Sequence, residues 1–245
     1  MLSAEPNARS HPPGPLMPVR SNSKNRCERC RMYRPLCLCP LIPQFHLDTK
    51  VLILKHWREE KLTTNTAHLA SLILPHSEIH LRGVKNDPLQ LETLIAPDES
   101  VALLFPTEDA IELTPETIAQ LPKPLTLVVP DGSWGQAKKV ATREKALSKV
   151  PRVKIPLGLP SQYRLRFSPH EQNLCTFEAI ARAIGALEGK VIQEKMEELF
   201  IVMVERILWS RGVLKPSDCT TPIPEAAFEA SRIAGIAGGT KKRSP

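Results

Sequence analysis

Two short stretches of this sequence carry residue types that could do chemistry. The first is LVVPDGSWGQAKK, Leu127 to Lys139, in which a branched apolar run stops at Pro130 before an acid, a glycine, a serine and a tryptophan. A carboxylate such as Asp131 can accept a proton or orient a substrate, and the ring of Trp134 can stack on a base or face a cation. The alternative is that Asp131 is only a turn residue and Trp134 only a core aromatic.

The elements around this stretch would place both residues at a ligand crevice. Leu125 to Val129 is typical of a strand buried on both faces, and Asp131 with Gly132 predicts the turn that follows it. Ser133, followed three residues later by Gln136, fits a capping box and predicts the start of a helix. In open α/β sheets such turns lie at the carboxyl ends of strands, where helix N-termini offer unpaired amides to anionic groups.

The second stretch is a cluster of four cysteines, CERCRMYRPLCLC, with the spacing CxxC, six residues, then CxC: Cys27, Cys30, Cys37 and Cys39. Four thiolates can complete a tetrahedral zinc site, and this density without a secretion signal favours a metal over disulfides. A redox pair is the alternative. With every position filled by protein, the zinc should be structural. The isolated Cys175 and Cys219 are interpreted as small buried side chains.

The charge of the chain favours a polyanionic partner such as nucleic acid. Lys and Arg total 33 against 26 Asp and Glu, which gives a net charge of +7. The positive charge is concentrated between Gln136 and Lys154. Within one helix Lys138, Lys145 and Lys149 would share a face that could contact phosphates. A merely solvated face is the alternative.

The remaining segments alternate between strand and helix patterns, which predicts an α/β fold around one core. Strands are predicted at KVLILKH, SEIHL, SVALLF and Arg152 to Ile155. Helices are predicted at NTAHLASLIL, at the Thr-Pro-Glu after Leu113, at Phe177 to Leu187 and at Val191 to Arg211. No apolar run reaches about 18 residues, so we expect a soluble, cytoplasmic protein without a membrane partner.

Three segments downstream of the cysteine cluster together resemble a known family: LKHWREEKLTTNTAHLA, VVPDGSWGQAKK and QYRLRFSPHEQNLCTFEA. The sequence is similar to the DTW-domain family of bacterial type, named for an Asp-x-Thr-Trp motif that Asp131 to Trp134 matches with Ser133 in place of Thr. The resemblance extends over roughly Arg26 to Arg211. It implies a SPOUT-like sheet flanked by helices with a C-terminal trefoil knot, which no sequence rule would predict.

The resemblance also implies a reaction, in which the 3-amino-3-carboxypropyl group of S-adenosylmethionine is transferred to N3 of a uridine in tRNA, releasing methylthioadenosine. Asp131 would take the imide proton or orient the base. An ordinary Asp pKa of about 3.9 is far below that of an imide, so burial or a positioned neighbour would be needed. Trp134 would face the sulfonium or stack on the base, with Ser133 beside it in the catalytic motif.

Further site residues follow from the same resemblance. The cofactor-binding set is Leu104, Phe105, Pro106, Pro130, Leu157, Gly158, Leu174, Cys175, Thr176 and Glu178. The substrate-binding set is His56, Asn65, Thr66, Tyr163, Arg164 and Arg166, together with Lys138, Lys145 and Lys149. Two positions depart from the family: Ser133 keeps a hydroxyl cap, whereas Cys175 stands where a Ser is usual and leaves that cap to Thr176.

These expectations divide the chain into four parts: a disordered tail (1–25), the zinc-binding segment (26–47), the DTW catalytic domain (48–213) and a C-terminal extension with a basic tail (214–245). Two other functions remain open. A SPOUT-type RNA methyltransferase would use the same cofactor but leave S-adenosylhomocysteine, and a zinc-bearing RNA-binding module would leave Asp131 and Trp134 unexplained. The sequence predicts neither the tRNA species, nor the modified position, nor the oligomeric state.

Overall fold

A parallel sheet with helices on both faces forms the centre of the protein. The computed structural model describes residues 25–62, 64–96, 98–166 and 173–233. Within these ranges the sheet has six strands in the order β2-β1-β5-β3-β6-β4, and every pairing is parallel. The strands are β1 (Lys50–His56), β2 (Ser77–Arg82), β3 (Ser100–Leu104), β4 (Ile111–Glu112), β5 (Leu125–Asp131) and β6 (Arg152–Lys154).

The predicted helices are confirmed, and one further helix follows them. They are α1 (Ala67–Ile73), α2 (Pro115–Ile118), α3 (Trp134–Arg143), α4 (Thr176–Glu188), α5 (Lys190–Ser210) and α6 (Glu225–Ile233). The sequence analysis did not predict α6 or the two-residue strand β4. The predicted tails lie outside the described residues, except for Asn25 and for the part of the C-terminal extension up to Ile233. No helix in the described ranges is long and apolar enough to cross a membrane.

The alternation of side chains along the central strands divides the core between the two faces of the sheet. All seven residues of β5 are buried. Leu127 and Val129 face the layer that contains α1, α4 and α5, whereas Val128 faces the layer that contains α3. Because successive strand residues point to opposite faces, a strand buried on both sides reads as a continuous apolar run. Strand β5 ends two residues later than the sequence predicts, because Pro130 and Asp131 still pair with β1.

The cysteine segment and the C-terminal extension pack on the same core as the sheet. Leu36 and Leu38 of the cysteine segment are fully buried against it. The guanidinium of Arg206, on α5, donates to the Leu36 and Cys37 carbonyl oxygens at 3.2 and 2.6 Å. The carboxylate of Glu205 accepts from the amide and hydroxyl of Thr220 at 2.9 to 3.0 Å. Both flanking parts are therefore fixed to α5.

The basic segment after β5 is not one helix, so the predicted shared face of Lys138, Lys145 and Lys149 is wrong. Helix α3 ends at Arg143, and Glu144 has an extended backbone with φ −76° and ψ 112°. A short 3₁₀ turn, Lys145–Leu147, follows and buries Leu147 completely. The end of the helix is fixed by two contacts, the burial of Leu147 and the ion pair of Glu144 with Arg82 at 3.2 Å.

Candidate active site

A cavity of about 570 Å³ lies at the carboxyl edge of the sheet, within the roughly 300–1,000 Å³ typical of small-molecule sites. It forms where the connections after β1, β3, β5 and β6 meet the start of α4, the edge at which parallel α/β sheets bind ligands. The predicted site residues that line it are Asn65, Thr66, Leu104, Phe105, Pro106, Pro130, Asp131, Ser133, Trp134, Leu157, Gly158, Tyr163, Arg166, Leu174, Cys175 and Thr176.

Asp131 is a buried carboxylate in this cavity, with only 5% of its surface exposed. Asn65 Nδ2 donates to its Oδ2 at 2.7 Å, and Thr176 Oγ1 donates to its Oδ1 at 2.6 Å. Burial raises the pKa of Asp131 above its usual range, although both hydrogen bonds act in the opposite direction. A carboxylate with a raised pKa is a better proton acceptor near neutral pH, and each of its oxygens keeps a further lone pair.

The turn after Asp131 is built by Gly132 and by the predicted capping box. The Ser133 hydroxyl accepts from the Gln136 amide at 3.4 Å, and Gln136 Oε1 accepts from the Ser133 amide at 2.7 Å. Gly132 has φ +154°, and a Cβ there would lie 2.7 Å from Gln136 Oε1. Glycine adopts this backbone conformation without strain, whereas a residue with a side chain would be strained there. The Ser133 side chain therefore caps α3, and the capping-box prediction is confirmed.

Trp134 is the first residue of α3 and lies at the mouth of the cavity. Its side chain is 47% exposed, and its ring centroid is 6.1 Å from that of Phe105 with the planes inclined by 56°. The alternative that Trp134 is a core aromatic is therefore excluded. Leu157 and Leu159, exposed by 86% and 78%, follow β6 and also line the cavity. Together these side chains give the cavity apolar walls open to solvent on one side.

The loop that carries Asn65 is held by two residues of the predicted substrate-binding set. The Tyr163 hydroxyl donates to the Thr64 carbonyl oxygen at 2.7 Å, and Arg166 Nε donates to Thr64 Oγ1 at 2.9 Å. Arg166 Nη1 also pairs with Glu59 at 3.1 Å. Burial raises the pKa of Tyr163 to about 12, so its hydroxyl stays protonated. These contacts position Asn65 against Asp131.

One polar atom of the cavity lacks a protein partner. Asn65 Oδ1 is buried and accepts no hydrogen bond from any described residue. A buried acceptor without a donor costs about 1–3 kcal/mol. A ligand N–H or O–H placed in the cavity beside Asp131 would satisfy this oxygen.

Some predicted site residues do not line the cavity. The carboxylate of Glu178, predicted to bind the cofactor, instead accepts from Ser161 Oγ at 2.6 Å and from the amides of Gln162 and Cys175 at 2.6 and 3.0 Å. It therefore ties the loop after β6 to the start of α4. The others are His56, Arg164, Lys138, Lys145 and Lys149, of which His56 is partly buried and the rest are exposed.

The two isolated cysteines are more exposed than predicted. Cys175 is partly exposed and lines the cavity, and burial raises the pKa of its thiol well above the usual range. Cys219 is also partly exposed, and its thiol lies 3.4 Å from the Lys215 carbonyl oxygen. Both pack against the larger hydrophobic core from its edge, so the interpretation of these two residues as small buried side chains is confirmed only in part.

The four clustered cysteines come together as predicted and can hold a metal ion. Their Sγ atoms all lie within 4.8 Å of one another, and the pairs Cys27–Cys39 and Cys30–Cys37 are each separated by 3.6 Å. A tetrahedral ion with metal–sulfur distances of about 2.3 Å would place its ligands about 3.8 Å apart. The amides of Leu38 and Cys39 donate to the Cys30 and Cys37 sulfurs at 3.4 and 3.5 Å, which would stabilise thiolates that hold a metal.

Sequence analysis missed a buried lysine next to the site. Lys55 is 1% exposed and lies in register with Asp131 on the neighbouring strand. It forms an ion pair with Glu60, whose carboxylate also pairs with Arg31 at 3.0 Å. No sequence signal marks this lysine, because a charged residue near the end of an apolar strand normally reaches solvent.

The geometry defines a class of protein: a parallel α/β fold with a ligand cavity, containing a buried carboxylate, at the carboxyl edge of its sheet. Comparison with known families makes the assignment specific. The DTW domain matches residues 24–208, and the chain belongs to the DTW domain family. The expected resemblance over roughly Arg26 to Arg211 is thereby confirmed.

Three curated relatives are all named as tRNA-uridine aminocarboxypropyltransferases. The chain is 31% identical over 177 residues to tRNA-uridine aminocarboxypropyltransferase 2 of Drosophila melanogaster, covering 69% of each chain. It is 27% identical over 190 residues to the protein of the same name from Macaca fascicularis, covering 74% of this chain and 62% of that one. It is 26% identical over 220 residues to tRNA-uridine aminocarboxypropyltransferase A of Arabidopsis thaliana, covering 78% and 82%. No solved structure matches this chain.

Proposed function

We propose that this protein transfers the 3-amino-3-carboxypropyl group of S-adenosylmethionine to N3 of a uridine in tRNA and releases methylthioadenosine. The observation that carries this proposal is the buried carboxylate of Asp131 in a ligand-sized cavity, in a chain whose relatives are named tRNA-uridine aminocarboxypropyltransferases. The chemistry needs a proton acceptor close to the base, and Asp131 is the buried acid among the residues that line the cavity.

The step is a substitution at the methylene next to the sulfonium. A bond forms between N3 and this carbon while the bond between carbon and sulfur breaks, and sulfur leaves with both electrons as the neutral thioether of methylthioadenosine. The N3 proton passes to Asp131 or is shared with it as N3 becomes nucleophilic. Burial favours this transfer because it raises the pKa of Asp131 toward the operating pH.

The neighbours of Asp131 fit supporting roles. Asn65 and Thr176 orient the carboxylate, and the unpartnered Asn65 Oδ1 can accept from the bound amino group or imide. Trp134 can stack on the uridine or face the sulfonium, since half of its side chain is exposed at the mouth. The enzyme would select the aminocarboxypropyl carbon over the methyl carbon by the geometry of binding, which must place that carbon next to N3 and in line with the sulfur.

Two structural features belong to this proposal. The metal held by the cysteine cluster would be zinc with a structural role, because four protein thiolates leave no open coordination position. The fold would be SPOUT-like with a C-terminal knot, as the family resemblance implies, and the parallel sheet with loops that converge on one edge fits such a fold.

The basic segment supports tRNA as the substrate. Lys138 and Lys139 on α3, and Lys145 and Lys149 beyond it, are exposed and form no ion pair with a described carboxylate. Two of them lie on the helix that begins with Trp134. Unpaired surface lysines attract phosphates through release of counterions, which is the main source of affinity for nucleic acid.

The test is to mix the protein, S-adenosylmethionine and bulk tRNA and to identify the small-molecule product by mass spectrometry. The proposal expects methylthioadenosine, together with tRNA nucleosides that gain the mass of the aminocarboxypropyl group. S-adenosylhomocysteine instead would assign a methyltransferase. Binding of tRNA without either product would leave an RNA-binding module.

A further inference from the structure

A second aromatic group lies outside the cavity, at the end of β1. The ring of His56 stacks on that of Trp57, with centroids 6.1 Å apart and planes inclined by 27°. The guanidinium carbon of Arg58 lies 5.3 Å from the centre of the Trp57 ring. The amide of Arg58 donates to His56 Nδ1 at 3.3 Å, which fixes the turn that carries all three. These three residues are here named the Trp57 stack.

The Trp57 stack adjoins the wall of the cavity. A Cβ placed on Gly132, which lines the cavity next to Asp131, would lie 3.3 Å from His56 Cβ. A Cβ placed on Gly83, where φ is +82°, would lie 3.2 Å from His56 Nε2 and 3.3 Å from Trp57 Cδ1. Gly83 thus allows the backbone to approach both rings, and Gly132 allows it to approach the Cβ atom of His56. The stack therefore extends the rim of the cavity past Gly132.

The packing of the fold does not explain why Trp57 is here. Its side chain is 45% exposed, and it belongs to neither of the two hydrophobic clusters that fill the faces of the sheet. Lone exposed apolar residues are common, but this one is a large ring held in a defined orientation beside a ligand cavity. Partly exposed aromatic rings are the usual platforms for unpaired nucleobases.

The charges around the Trp57 stack favour a polyanion. Burial lowers the pKa of His56, and the nearby charges of Arg58, Arg82 and Lys139 lower it further, against the opposing charge of Glu59. Arg82 is neutralised by Glu144 at 3.2 Å. Arg58 and Lys139 form no ion pair with a described carboxylate. The neutral imidazole and the two free cations suit a nucleotide, which offers both a ring to stack and a phosphate.

We propose that the Trp57 stack is the platform for an unpaired base of the RNA next to the uridine that enters the cavity. The inference rests on the proposed function for the identity of the substrate, and adds that the substrate is read as a loop or single strand. An unpaired segment can splay two neighbouring bases apart, one into the cavity and one onto Trp57, whereas a paired helix cannot. Arg58 would then contact the phosphate between them.

The experiment measures RNA binding without any reaction. Wild-type protein and the variants Trp57→Ala and Trp57→Phe are titrated with bulk tRNA and with a short oligouridylate, in the absence of S-adenosylmethionine. Trp57→Ala should raise the dissociation constant for both RNAs by about 10-fold, and Trp57→Phe should recover most of the affinity. Ile111→Ala is the matched control, because Ile111 is 42% exposed at the opposite edge of the sheet.

Two further measurements exclude an indirect effect. Thermal unfolding should show that Trp57→Ala remains folded, since the ring is half exposed, and binding of S-adenosylmethionine should be unchanged. An oligonucleotide that contains 5-bromouridine should crosslink under ultraviolet light to the peptide that contains Trp57. An RNA affinity of Trp57→Ala within twofold of wild type would overturn the proposal. Loss of an oligomer in that variant, measured by light scattering, would instead assign the surface to contact between copies of the chain.

Failure of the proposed function would look different. Weaker RNA binding by Trp57→Ala in a protein that forms no methylthioadenosine would retain the platform and reject the reaction. Normal formation of methylthioadenosine with an unchanged KM for tRNA in Trp57→Ala would retain the reaction and reject the platform.

Discussion

Replacement of Asp131 by Asn tests the proposed chemistry most directly. The change keeps the size of the side chain and removes its charge. The amide oxygen of the new side chain can still accept the hydrogen bond from Thr176 Oγ1, which is 2.6 Å from Asp131 in the wild-type protein. The Asn65 amide can rotate, so that its unpartnered Oδ1 accepts from the new amide nitrogen. Loss of two charge-assisted hydrogen bonds is offset by relief of a buried charge, so stability should change by less than about 1.5 kcal/mol.

The rate should fall far more than the stability. Removal of a general base reduces turnover by about 100-fold to 10,000-fold, or about 3–5 kcal/mol of transition-state stabilisation. The readout is the amount of methylthioadenosine formed per minute, and binding of both substrates is measured separately. Asp218→Asn is the control, because it removes an exposed carboxylate that is far from Asp131 in the sequence. Full activity of Asp131→Asn would refute the reasoning and leave Asp131 as a residue that only ends β5.

The raised pKa of Asp131 adds a dependence on pH. Because the acid must be ionised to accept a proton, wild-type activity should fall at low pH with a midpoint above the ordinary value of about 3.9. The free energy of unfolding should depend on pH in the opposite direction. A folded-state pKa above the unfolded one favours the fold while the group is protonated, so wild type should lose stability relative to Asp131→Asn as the pH rises through the raised pKa. Equal pH profiles of unfolding for the two proteins would contradict the burial argument.

Three other changes test the roles of Trp134, the cysteine cluster and the basic segment separately. Trp134→Ala should raise the dissociation constant for tRNA or for S-adenosylmethionine about 10-fold, as measured by titration calorimetry. It should cost little stability, because Trp134 is 47% exposed. Purified protein should contain about one zinc per chain by elemental analysis, and Cys37→Ser should lower that content and increase hydrogen exchange in residues 26–47 more than in β1. Joint replacement of Lys138, Lys145 and Lys149 by Ala should weaken tRNA binding, reduce its salt dependence and spare S-adenosylmethionine.

Local patterns predicted most of the elements of this fold. The apolar run of β5, the capping box of Ser133 and the spacing of the four cysteines each depend on residues close in sequence, and the structure confirms each. The predicted helix across Lys138 to Lys149 failed because a tertiary requirement, the burial of Leu147, overrides the periodicity of the segment. The two-residue strand β4 is too short to show a pattern.

The contacts that build the site could not be predicted from local patterns. Thr176 donates to Asp131 across 45 positions of sequence, and Asn65 does so across 66. Both contacts require β5 to lie between β1 and β3, a strand order that follows from packing of the whole sheet. The family resemblance brought Asn65 and Thr176 into the predicted site, although as binding residues and not as partners of the carboxylate. Nothing in the sequence indicated Lys55.

The cysteine segment and the carboxylate are joined by a chain of charges. Arg31, one residue after Cys30, has a left-handed backbone with φ +60°, and its side chain donates to the carbonyl and carboxylate oxygens of Glu60 at 3.2 and 3.0 Å. Glu60 in turn pairs with the buried Lys55, which lies in register with Asp131 and acts to lower its pKa. A non-glycine residue in that conformation costs about 1–3 kcal/mol and persists only where its surroundings hold it. The folded cysteine segment keeps Arg31 in this conformation. It is therefore part of the electrostatic environment of the Asp131 carboxylate and not merely an appended stabilising loop.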